Sequence, residues 1–407
     1  MTHCDAPGLI PLADALARMQ MTVQTVEAIE TVPLSELLDR VLAEPVHATI
    51  NVPGYDNSAM DGYALRAVDA GLSLTIAGQA LAGHTHSEPL KPGECVRITT
   101  GAPIPPGADT VVMQEDTERV GERLRLTITP NRGDHIRRAG ESIAEGTEVL
   151  PAGYRLGPID IGLLASLGLA QARVRRKPVV AVLSTGDELT PPGAPLAEGQ
   201  LYDSNRYSMI AVLRRLNVEV LDLGLIPDQP EAIREAFRRA AHDADAVLSS
   251  GGVSVGDADH VRPVLEELGE IGFWKVAIKP GKPFAFGQLG QAVFFGLPGN
   301  PVSSLVTLHQ LAVPVLRTIA GEAPPPPVEV AASATDTFHK RPGRLDFQRA
   351  VLRREGEENR VSGFNAQGSG ILTSFLGANA YAVLEADRGA VSPGDTVTVL
   401  PFDRFIT

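Results

Sequence analysis

The chain has 407 residues, too many for one ordinary hydrophobic core, so two to four domains are predicted. A hydrophobic share of 43% and a charged share of 21% are those of a globular protein, and 5% aromatics leave little on which to stack single-stranded bases. The formal net charge of −13 argues against a nucleic-acid partner, so an anionic ligand must be met by local Lys, Arg and backbone amides. Cys4 and Cys95 are too few for a disulfide framework and match no zinc-site spacing. The N-terminus lacks a basic start followed by an apolar run, and no apolar stretch reads as long enough to span a bilayer. The expectation is a cytoplasmic protein with no membrane partner.

In chain order, 11–44 reads as helical, with Leu12, Ala15, Leu16 and Met19, then Leu34, Leu37, Leu38 and Val41, at helical spacing. From 46 to 146 short β-rich runs (72–76, 95–99, 110–113) alternate with Gly/Pro turns, which predicts an inserted β module. Helical texture returns at 157–167, so 1–45 and 147–177 are assigned to one helical linker domain. From 178 to 323 strands alternate with helices. Strands are expected at 179–184, 218–226, 246–248, 273–278 and 292–296, and helices at 205–216, 231–241, 260–268 and 302–319. That alternation predicts a doubly wound, mostly parallel sheet with ligands beyond the carboxyl ends of its strands. Four prolines, Pro324 to Pro327, make a stiff spacer, and 328–407 reads as a C-terminal β module of barrel-like type. The whole is a multi-domain α/β protein.

The loops at the expected strand ends carry the chemistry. Ser184, Thr185, Gly186, Asp187 and Glu188 place a turn glycine before two carboxylates. Asp203, Ser204 and Asn205 precede a helix and serve equally as cap or as ligand contact. In Ser249 to His260, Ser250, Gly251, Gly252 and Ser254 suit an anion-binding nest, because glycine lets a ligand approach the backbone. Asp257 and Asp259 in the same run offer the oxygen ligands Mg²⁺ takes, or they cap the helix that follows. Lys279 and Lys282 are point charges in a turn stiffened by Pro280 and Pro283. Pro298, Asn300 and Pro301 lead into the last helix, where free amides attract anions. The β module adds the loop from Asn57 to Ala64 with Asp61, the turn Thr99 to Pro103 with Thr100, and the charged cluster Arg137, Arg138 and Glu141, which a solvated charge run also explains. No Ser-His-Asp or Cys-His arrangement is legible.

This set of motifs resembles the molybdopterin molybdotransferase (MoeA) family, which also occurs as the E domain of gephyrin. The matching stretches are NSAMDGYA from Asn57, TTGAP from Thr99, RRAGE from Arg137, STGDEL from Ser184, SSGGVSVGDAD from Ser249, AIKPGKP from Ala277 and GLPGNPVSS from Gly296. FQRAVL from Phe347 and QGSGIL from Gln367 fit more loosely. The resemblance implies an α/β domain of the molybdopterin-binding type in an elongated four-domain subunit. It implies insertion of molybdate into adenylylated molybdopterin with Mg²⁺-dependent release of AMP, by a homodimer whose site lies between subunits. Molybdopterin adenylyltransferase and molybdoenzyme-maturation proteins are the further partners it suggests. Carried over by motif, Asp61, Glu188, Asp228, Asp259, Lys275 and Lys279 form the functional set, with Thr100, Pro298 and Pro301 shaping it and Glu188, Asp257 and Asp259 as metal ligands. Arg349 and Ser369 are expected to reach the partner's site. The family often continues RxxGE with Asp, where this chain has Ser142. Two alternatives stand beside this reading: a molybdopterin adenylyltransferase, whose fold resembles the α/β domain alone, and a non-catalytic dimeric scaffold.

Overall fold

The computed structural model describes residues 8–251, 260–364 and 366–406. Its centre is a seven-stranded sheet in the order Leu9–Ile10, Gly269–Val276, Pro283–Leu289, Ala292–Leu297, Ala246–Ser250, Val179–Thr185, Glu219–Ile226. Val179–Thr185 pairs in parallel with Ala246–Ser250 and with Glu219–Ile226, and Ala246–Ser250 pairs in parallel with Ala292–Leu297. The apolar run of Val179–Thr185 is buried along nearly its whole length, as a strand covered on both faces must be.

Helices cover both faces. On one side Ala15, Met19, Met209, Ile210, Leu213 and the apolar residues of 302–319 join a single core. On the other, Pro230–Asp243 turns Ile233, Phe237 and Ala240 inward, one helical turn apart, and Phe237 meets Phe294 edge to face at 5.7 Å. One strand of this sheet, Pro283–Leu289, runs antiparallel between Gly269–Val276 and Ala292–Leu297 and is not predicted by the sequence. The expected strand at 273–278 is two pieces: Gly269–Val276 in this sheet, and Ile278–Lys279, which leaves it to pair with Leu345–Glu355.

The β module has a six-stranded sheet, Thr110–Met113, Gly62–Leu65, Glu94–Ile98, Leu74–Ala80, Arg123–Leu126, Thr117–Val120. At the C-terminus, Leu345–Glu355, Glu358–Gly363, Val330–Ala334, Thr396–Pro401 and Ala380–Leu384 follow in order, and pairing of the last with the first closes a five-stranded barrel.

Three expectations are corrected. The 34–41 stretch is not an α-helix: only Leu34–Glu36 forms a helical turn, and Leu34 and Leu37 join a small core with Leu150, Leu156, Leu164 and Val174. In that unit Ile29–Pro33 pairs with Gln171–Arg175, so it is part β rather than helical. The helix Leu12–Thr22 packs on the α/β core instead, after Leu9–Ile10 has joined its sheet. Finally, Pro301–Ile319 is long and apolar enough to cross a bilayer, with a mean hydropathy of 1.2; 67% of it is buried within the domain, as a core helix requires.

A buried ion cluster ties these parts together. The Glu322 carboxylate, 4% exposed, takes Arg317 at 2.6 Å and Arg155 at 2.8 Å. Arg155 also donates to the carbonyls of Asp39 and Leu216 at 2.8 and 3.1 Å, so one guanidinium spans the linker unit and the α/β domain. Burial works to raise the Glu322 pKa, but hydrogen bonds from Arg317 and Arg155 outweigh it and hold the group below its ordinary value of 4.5. Glu322→Ala leaves both cations without their acceptor and is expected to cost about 3 kcal/mol in urea unfolding. A carboxylate depressed in the fold stabilises above its unfolded pKa and loses that as pH falls through the folded one. Wild-type stability should therefore drop below about pH 4.5, and the Glu322→Ala profile should be flatter there; parallel profiles would contradict this role.

Candidate functional site

The strand pairing brings Ser184 level with Ser250 and Ser250 level with Leu297, so three loops leave the sheet side by side. Between them lies a cavity of about 790 Å³. Its walls include Gly186, Glu188, Asp203, Asn205, Asp228, Ser250, Gly251, Pro298, Asn300 and Pro301, and also Gly370 of the C-terminal module. Gly251 has φ +95°, and a Cβ there would sit 2.9 Å from the Thr185 carbonyl oxygen, so only glycine lets the two loops lie this close. Gly186, at φ +140°, is overlain by the Glu188 carboxylate, which therefore folds back over its own turn.

The floor is ionic. Asp203, 2% exposed, accepts from the Ser184 hydroxyl at 3.2 Å and from the Arg206 amide and Nε at 3.2 and 3.0 Å. Asp203 therefore bonds the first turn of the helix from Asn205 and also lines the cavity. Arg206 Nη1 lies 2.7 Å from both oxygens of Asp222. Burial opposes the charge on Arg206, but bonds to Asp222 and then Asp203 outweigh it and raise its pKa. Asp187 Oδ1 accepts from the Asp228 amide at 3.3 Å, which ties the Asp228 loop to the Gly186 turn. Among the described lining residues there is no Lys or Arg.

The structure distributes the expected residues unevenly. Glu188, Asp228, Asp203, Gly186, Ser250, Gly251, Pro298, Asn300 and Pro301 share the cavity; Ser184 lies beneath it, wholly buried. Gly252, Ser254, Asp257 and Asp259 lie outside the described residues. Lys275 and Lys282 are exposed, and neither lines the cavity. Lys279 pairs with Asp346 at 3.0 Å and borders a separate hollow of about 580 Å³ with His339, Lys340, Arg341 and Arg344, because its short strand has joined the barrel. Asp61 accepts from the Thr100 amide at 2.7 Å and hydroxyl at 2.8 Å, which hold its pKa below the usual value. Arg138 pairs with Asp56 at 2.6 Å, and Arg137 is exposed. None of these β-module residues lines the cavity.

Two expectations need revision. Arg349 is 1% exposed and donates to Ser374 Oγ at 3.0 Å beside the Phe375 ring, so it is packed inside its own module rather than presented at the surface. The Ser369 carbonyl accepts from the Val302 amide of its own chain at 3.0 Å and so brings Gly370 to the cavity rim of that chain. That bond also occupies an amide of the last helix, Ser304 donates to Asn300, and Pro301 has no N–H, so the helix start offers an anion less than the sequence suggests. Asn205 is the residue sequence reasoning undervalued: its side chain bridges Ser250 and Gly299. The signal for it was its place directly after a strand-end Asp-Ser pair.

Family models match along the chain: the MoeA N-terminal region (domains I and II) over 10–168, a probable molybdopterin binding domain over 181–318, and the MoeA C-terminal region (domain IV) over 331–402. A molybdopterin molybdenumtransferase of Haemophilus influenzae is 44% identical over 98% of this chain and 100% of that one. Gephyrin of Dictyostelium discoideum is 32% identical over 91% of this chain and 59% of its own length. The crystal structure of a molybdopterin biosynthesis MoeA protein from Pyrococcus horikoshii OT3 superposes with a TM-score of 0.84 at 29% identity, covering 97% of this chain and 100% of that one. The chain belongs to the molybdopterin molybdenumtransferase (MoeA) family, transferases of molybdenum cofactor biosynthesis.

Proposed function

We propose that the strand-end cavity takes adenylylated molybdopterin, and that the enzyme inserts molybdate into it with Mg²⁺-dependent release of AMP. The observation that carries this reading is the pairing of Glu188 and Asp228 in one cavity built from close-approaching backbone. Among the described residues no three His, Cys, Asp or Glu side chains gather as a metal cluster. Two carboxylates nevertheless fit Mg²⁺, which commonly takes one or two from the protein and fills its remaining positions with substrate phosphates and water. Glu188 and Asp228 would hold it, and when bound it would draw charge from the phosphoanhydride oxygens. The chain's own groups orient the ligand: Ser250 and the Gly251 turn approach from one loop, and Pro298 to Pro301 from another. The lysines of the 275–282 run stand outside the cavity wall and supply positive potential to an approaching dianion.

Glu188→Gln and Asp228→Asn are each expected to lower AMP release from adenylylated molybdopterin by about a hundredfold or more while melting like wild type. Wild type should release AMP faster with molybdate and Mg²⁺ than without either. A folded wild type that releases no AMP under any of these conditions would sink the reading.

We further propose that the Asp61–Thr100 clamp completes the cavity of a second copy, since it does not line the cavity of its own chain. Mixing inactive Asp61→Ala with inactive Glu188→Gln should then restore part of the activity, because one mixed site carries both intact residues. No recovery from subunits shown to exchange would place Asp61 in its own chain's site or outside catalysis.

A further inference from the structure

Asn205 opens the helix Asn205–Arg215 and lies in the cavity wall. Its Nδ2 is 2.7 Å from the Gly299 carbonyl oxygen and 2.8 Å from Ser250 Oγ. A backbone carbonyl can only accept, so the amide must present its NH₂ there and not its oxygen. An NH₂ has two hydrogens, and the second goes to Ser250. The Ser250 oxygen is thereby an acceptor toward Asn205, and its own proton must point elsewhere. Ser250 is 3% exposed at the cavity floor, and no other bond of its hydroxyl is formed among the described residues. A buried hydroxyl donor without an acceptor is costly, and a ligand oxygen in the cavity would relieve that cost.

We infer that Asn205 is a positioning residue: it locks Ser250 as a hydrogen-bond donor toward a phosphate oxygen of the bound ligand. The reading rests on the proposed function, in which that ligand is a phosphate ester in this cavity. It adds a direction to the bond. With one lone pair taken by Asn205 and no other acceptor for its proton among the described residues, Ser250 favours a ligand acceptor oxygen at this position. The same amide fixes the spacing of two loops, those after Ala246–Ser250 and Ala292–Leu297, so that the donor and the Pro298 wall move as one.

The test is a double-mutant cycle read as KM and kcat for AMP release from adenylylated molybdopterin, with melting temperature followed in parallel. Ser250→Ala and Asn205→Ala should each raise KM about tenfold, as the loss of a hydrogen bond to a charged group does. The double variant should be no worse than either single one, because Asn205 acts through Ser250. Asn205→Asp keeps the volume but puts a carboxylate against the Gly299 carbonyl and takes the Ser250 proton for itself. It should therefore raise KM at least as far, which keeps the test decisive even where truncation lowers the folded yield. A merely structural Asn205 would lower the melting temperature and give losses that add to those of Ser250→Ala. Additive losses, or an unchanged KM in Asn205→Asp, overturn the inference while leaving the functional reading intact. A wild type that releases no AMP overturns both.

Discussion

Parallel pairing of Ala246–Ser250 between Val179–Thr185 and Ala292–Leu297 is the constraint on which the site depends. Parallel strands in register end at one level, so their loops must leave together into the same space. Two conditions follow. The loop backbones have to pass closer than side chains permit, which Gly251 meets by a positive φ against the Thr185 carbonyl. The crevice between them has to be wedged open by something rigid, and Asp203, Arg206 and Asn205 at one helix start do this. Arg206 anchors to Asp203 and Asp222 below, while Asn205 reaches across to Ser250 and Gly299 above.

The inverse arrangement, a buried carboxylate between two guanidiniums, occurs at Glu322 with Arg155 and Arg317. Such clusters add little net stability over apolar packing, since desolvation offsets most of the attraction. What they supply here is fixed geometry between units that share little apolar surface. Arg155 holds the linker unit to the α/β domain, and that unit in turn carries the β module.

How much of this was legible in the sequence depended on which forces were local. The run Val179 to Ser184 and the periodic Ile233, Phe237 and Ala240 announced their elements because burial acts on every residue of them. Leu34, Leu37, Leu38 and Val41 have helical spacing too, yet only Leu34 and Leu37 join the small irregular core while Leu38 is exposed, and tertiary contacts override the pattern. Pro283–Leu289 was hidden because it begins on a proline at the end of a Gly/Pro turn. Glu188, Ser250 and Pro298 of the strand-end motifs line one cavity, where a parallel sheet sends its loops, and Asp228, named only through the family resemblance, joins them. The motifs could not show that Lys279 turns toward Asp346, because that follows from a strand jumping to the barrel. Nor could FQRAVL show that Arg349 faces inward, since barrel closure decides which alternate residues are enclosed.

The charge balance of the cavity sharpens the case for a divalent cation. Its described lining carries three carboxylates, those of Glu188, Asp203 and Asp228, and no basic side chain. Asp203 is matched by Arg206 beneath it. Glu188 and Asp228 are left facing the space in which the proposed ligand places its own negative phosphates. Two carboxylates and a phosphoanhydride sharing one cavity repel, and no lysine or arginine among the described lining residues offsets that. A doubly charged cation between them converts the repulsion into attraction and neutralises both side chains at once. On the proposed reading, a metal–phosphate complex would suit this acidic cavity better than a bare anion, and Ser250 and the Gly251 turn would address oxygens the metal leaves free.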